Sequence, residues 1–74
     1  MHAATRVGAI AGRAAAIEDR AEGCDPGAAL LLAASLSAED WLNANVRADD
    51  ASGQSRAEYT RAYLAAYRRE LQEA

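Results

Sequence analysis

Alanine supplies 21 of the 74 residues, whereas Val, Ile, Leu, Met, Trp and Tyr together supply only 16 and Phe is absent. An alanine methyl removes little area from water, so the chain can build only a thin core. A single core at this length supplies on the order of 3 to 5 kcal/mol of net stability. Self-association or a docked partner is the expected supplement. The same bias decides secondary structure. Ala, Arg, Leu and Glu are strong helix formers, and β-branched residues are limited to Thr5, Val7, Ile10, Ile17, Val46 and Thr60, too few for a sheet. The expected fold is all-α: one domain over residues 1–74, a small bundle of three or four helices at about 4–22, 26–36, 38–48 and 56–73.

In the first of these helices Val7, Ile10, Ala14, Ile17 and Ala21 recur at three-four spacing and form a thin apolar stripe, and Gly23 is a natural stop. A second stripe, Ala4, Gly8, Gly12 and Ala16, repeats every four residues. It reads two ways. Either another backbone approaches closely along it, or the glycines merely weaken the helix, by up to ~1 kcal/mol each relative to Ala.

Gly23-Cys24-Asp25-Pro26 punctuates the chain as a tight helix-helix corner, with Asp25 as N-cap and Pro26 at the first helical position. Leu30, Leu31, Leu32 and Leu36 then spread round the circumference of the next helix, which predicts the most buried element. At Ser37 an N-cap, Asp40 three residues on and a Leu36-Trp41 staple coincide, so a break or kink is favoured there over one continuous helix. Residues 49–54 read as loop, because two acids oppose a helix C-terminus and Ser52-Gly53 is turn chemistry. Ser55-Arg56-Ala57-Glu58 is a full capping box for the last helix.

The inventory for chemistry is poor. One His (His2) and one Cys (Cys24) exclude both an intrachain disulfide and a Cys/His metal cage. Cys24 reads as a small apolar plug in the corner rather than as a nucleophile, since no base accompanies it. Glu39-Asp40 and Asp49-Asp50 lack the spacing of a calcium loop. No enzyme, cofactor, metal or small-molecule substrate is expected. No apolar run reaches the ~18 to 20 residues of a membrane span. The stretch at 7–12 is too short for the core of an export signal. A reducing cytoplasm is the expected location.

The last helix carries the candidate contact residues. Tyr59, Tyr63, Tyr67 and Leu71 fall at four-residue intervals. They are either core bulk for alanine-rich neighbours or an aromatic partner-binding face together with Arg61 and Arg68. Four arginines on this helix raise DNA binding as the alternative, but Glu58, Glu70 and Glu73 interleave with them and the whole chain is at −3. The expected function is therefore a small acidic protein-protein interaction module: an adaptor, inhibitor or assembly component. The all-arginine, alanine-rich composition fits a phage or a GC-rich bacterium. A DNA-binding regulator using the Arg/Tyr helix is the second reading.

Overall fold

The computed structural model describes residues 3–45 and 53–73. Three helices pack together: α1 (Ala3–Glu22), α2 (Ala29–Asn45) and α3 (Gly53–Gln72). Direction follows from which residues meet. Gly8 lies against Tyr59, Gly12 against Tyr63, and Arg20 bonds Glu70, so α1 and α3 run parallel. Ser37 meets Tyr59 and Glu39 meets Arg56, so α2 runs antiparallel to α3. The third helix is central: both others pack on it, and α1 and α2 touch only sparsely.

The contact between α1 and α3 is backbone to backbone. A Cβ placed on Gly8 would collide with the carbonyl oxygen of Tyr59, and one on Gly12 would lie 2.8 Å from both the carbonyl carbon and the Cα of Tyr63. The small-residue stripe Ala4-Gly8-Gly12-Ala16 is thus the buried face of α1, and close approach is what the two glycines are for. The larger stripe expected to face the core does not. Ile10, Ala14, Ile17 and Ala21 point to solvent, and only Val7 packs at the edge of the core.

At the first corner α1 ends in a Schellman motif. Gly23 sits at φ 70°, its N–H bonds the Arg20 carbonyl, and the Cys24 N–H bonds the Asp19 carbonyl at 2.7 Å. Asp25 Oδ1 accepts the Gly27 N–H at 3.1 Å, so Asp25 does satisfy a free amide, but Pro26 does not begin the helix. Gly27 adopts φ 55°, outside the helical region, and a turn closed by the Ala29 N–H on the Pro26 carbonyl precedes α2. Cys24 is exposed rather than a plug.

The second helix corrects two expectations. It runs unbroken through Ser37, because the Ser37 hydroxyl is turned sideways to the Tyr59 hydroxyl (2.6 Å) rather than back to its own backbone, and no Gly or Pro interrupts residues 29–45. The staple fails as well: Leu36 faces solvent while Trp41 stacks on Tyr59, ring centres 5.6 Å apart. Nor is α2 the most buried element. It has one neighbour of consequence, so it buries only the face carrying Ala34, Ala38 and Leu42, and Leu31, Leu32 and Leu36 remain outside.

The third helix begins at Gly53, which places Ser55 inside it rather than at its N-cap. Gln54 and Glu58, bonded side chain to side chain at 3.3 Å, support the first turn. Of the loop expected at 49–54, residues 49–52 lie outside the described residues, as do His2 and the expected end of the preceding helix at 46–48; Gly53 and Gln54 are helical.

Candidate functional site

The core has an unusual division of labour. Ala4, Ala16, Ala34 and Ala38 lie flush against α3, and the bulk comes from Tyr59, Tyr63 and Tyr67, all on one face of that helix. The rings follow one another: Trp41 stacks on Tyr59, and Tyr59 on Tyr63 with centres 6.5 Å apart. Phenol groups suit this position because each is a large apolar body with one polar end that must find a partner. Tyr59 finds Ser37, and Tyr67 donates to Asp19 Oδ2 at 2.7 Å, linking α3 to the last turns of α1.

Burial therefore raises the Tyr67 hydroxyl well above the ordinary phenol range, and the hydrogen bond to the Asp19 carboxylate and its charge add to this. Tyr63 is raised by burial first, then by Asp19 and Tyr59. These are phenols held neutral, suited to structure rather than to acid-base work near neutrality.

Of the residues expected to bind a partner, Tyr59, Tyr63 and Tyr67 are thus enclosed by the chain's own helices, whereas Leu71, Arg61 and Arg68 are at the surface. The apolar surface that the fold presents lies elsewhere. Ile10 is 64% exposed, Leu31 58%, Leu32 61% and Leu36 53%, with Ile17 and Leu71 also outside, while Leu42 alone among the described Val, Ile and Leu side chains is fully buried. Leu31, Leu32 and Leu36 cluster on the first two turns of α2, a segment without charge until Glu39. Hydrophobicity counts miss this surface, because they register leucine without its direction. The small-residue stripe on α1 was the available signal: once glycine takes the inner face, the isoleucines must take the outer one.

An open groove of 650 Å³ also runs between α1 and α3, lined by Thr5, Ala9, Ile10, Ala62, Ala65 and Ala66 and by Arg13, Arg69, Glu70 and Glu73. Its charges are engaged with each other. Glu70 receives Arg20 at 3.1 Å and Arg13 at 3.4 Å, and Arg69 meets Glu73 at 3.3 Å. Among the described residues that line the groove, Thr5 supplies the one hydroxyl, with no thiol or imidazole beside it. Among the described residues no three of His, Cys, Asp or Glu gather as a metal site, and no helix is long and apolar enough to cross a membrane.

Comparison with protein-family models, with curated proteins and with solved structures finds no match to this chain.

Proposed function

We propose that this chain is a small acidic protein-protein interaction module, an adaptor, inhibitor or assembly component, working in a reducing cytoplasm and acting by contact rather than by catalysis. The observation that carries the reading is the inversion of its aliphatic residues. Ile10, Ile17, Leu31, Leu32, Leu36 and Leu71 are outside while alanine and tyrosine fill the core. A monomer gains nothing from placing its large aliphatics in water, and clustered exposed apolar side chains are what contact surfaces offer. The net charge of −3 favours a basic partner surface round the rim of such a contact.

Site-specific photo-crosslinking in host cells tests this. A photoreactive side chain at Leu32 or at Ile10 should give a discrete adduct of fixed mass, and the same group at exposed Ala57 should not. Polar substitution of Leu31 and Leu36 should abolish the α2 adduct while the helical circular dichroism persists. Absence of discrete adducts from both faces, with the protein folded, would overturn the reading.

A further inference from the structure

We propose that the solvent face of α1 is a self-association seam, by which two copies of the chain pack side by side with their α1 helices parallel. This rests on the interaction-module reading and names its partner as a second copy. Extending the stripe back to Ala3 gives Ala3, Val7, Ile10, Ala14, Ile17 and Ala21, spaced four, three, four, three and four residues apart, the a/d pattern of a coiled coil over the whole of α1. Apart from Val7, which packs at the edge of the core, this face lies opposite the glycine stripe that holds α3, so the same helix carries one apolar face inward and a second outward. Ile10 and Ile17 are the large exposed side chains on it, with Ala3, Ala14 and Ala21 exposed between and beyond them.

Charge selects the occupant and its direction. With Val7, Ala14 and Ala21 at a, the g positions are Arg6, Arg13 and Arg20, and the e position beside Ile17 is Glu18. In a parallel pair a g residue meets the e′ residue of the next heptad, so Arg13 of each copy faces Glu18 of the other, twice by symmetry. An antiparallel pair would instead line six arginines against one another, at like-charge cost. The groove charges are compatible: Arg20 stays on Glu70, and Arg13, 69% exposed and touching Glu70 through Nε alone, keeps the other N–H donors of its guanidinium for Glu18 of the second copy. Six layers, three of them alanine, make a contact below the ~1,200 Å² of stable interfaces, so association should be weak and depend on concentration.

Sedimentation equilibrium of the full chain over a wide concentration range is the primary readout. We expect a monomer-dimer equilibrium that Ile10→Gln/Ile17→Gln abolishes without loss of helix, since both side chains are already in water. Arg13→Glu and Glu18→Arg should each weaken the dimer, and the double exchange should restore it. Circular dichroism melting separates from this any loss of the Arg13-Glu70 pair. In a Cys24→Ser background, Ala14→Cys should form an interchain disulfide under mild oxidation far faster than Ala57→Cys. A dimer indifferent to the isoleucine changes, or Ala14→Cys oxidising no faster than Ala57→Cys, overturns the seam. A strict monomer throughout also overturns it. The discrete heterologous adduct from Leu32 described above would still stand in that case, so the two proposals fail separately.

Discussion

Replacing Gly12 by Ala sets two effects of opposite sign against each other. Helix propensity favours the alanine by up to ~1 kcal/mol. Overpacking typically costs about 1 to 3 kcal/mol, and at Gly12 the obstruction is the Tyr63 backbone rather than a side chain that could swing away. The collision should win. Gly12→Ala is expected to lower the melting temperature, Gly8→Ala likewise, and thermal denaturation followed by circular dichroism decides the sign. Tyr67 supplies a second test at this scale. Its folded pKa is raised by burial and by Asp19, so the native chain holds the proton more tightly than the unfolded one. Stability from this source is fully present below the unfolded phenol pKa of about 10 and falls as pH rises above it, because the unfolded chain releases the proton first. Urea midpoints from pH 8 upward should be flat to about pH 10 and then drop, whereas Tyr67→Phe should make the alkaline limb shallower and leave the part that comes from Tyr63.

Which face a helix buries depends on how many neighbours it has. A helix with neighbours on several sides would have buried all five of its leucines; α2 has only α3 as a close neighbour, so one side is covered and Leu31, Leu32 and Leu36 stay outside. The expected consequence is a reversal of the usual ranking of substitutions. Leu36→Gln should change stability by no more than about 0.5 kcal/mol, as for other surface positions. Ala38→Leu, which inserts a larger side chain where the alanine is buried without remaining exposure, should cost about 1 to 3 kcal/mol. Chemical denaturation of the two variants measures both. Continuity of α2 through Ser37 belongs to this scale as well. A serine in mid-helix is acceptable where its hydroxyl has a better partner than its own backbone, and Tyr59 supplies one.

Across the whole molecule the charges are distributed rather than gathered. On α3 and its last turn Arg56, Arg61, Arg68 and Arg69 alternate with Glu58, Glu70 and Glu73; Arg56 also approaches Glu39 at 4.0 Å, and Arg69 pairs with Glu73. Exposed pairs of this kind contribute little to stability, about 0 to 1 kcal/mol, but they interrupt any continuous basic stripe. Nucleic acid needs such a stripe to displace its counterions. Random duplex DNA at moderate salt is therefore expected to show no appreciable binding in a fluorescence anisotropy titration. A steep salt-dependent affinity lost on neutralising Arg61 and Arg68 would contradict this.

Helix was determined by the sequence alone, as were the stop of the first helix at Gly23 and the tyrosine register on the last helix. These follow from local physics: propensity, the left-handed freedom of glycine and four-residue spacing, each set by residues close together in the chain. The tertiary structure decided which face of each helix is inside. On α1 two stripes competed, and the smaller one won because it lets α3 approach to backbone contact, after which the tyrosines on α3 fill the space that alanine leaves. That choice depends on residues some fifty positions apart, Gly8 with Tyr59 and Gly12 with Tyr63, and periodicity within one helix carries no information about its partner. The exposed isoleucines and leucines follow from it: a core closed by glycine and tyrosine has no room left for them.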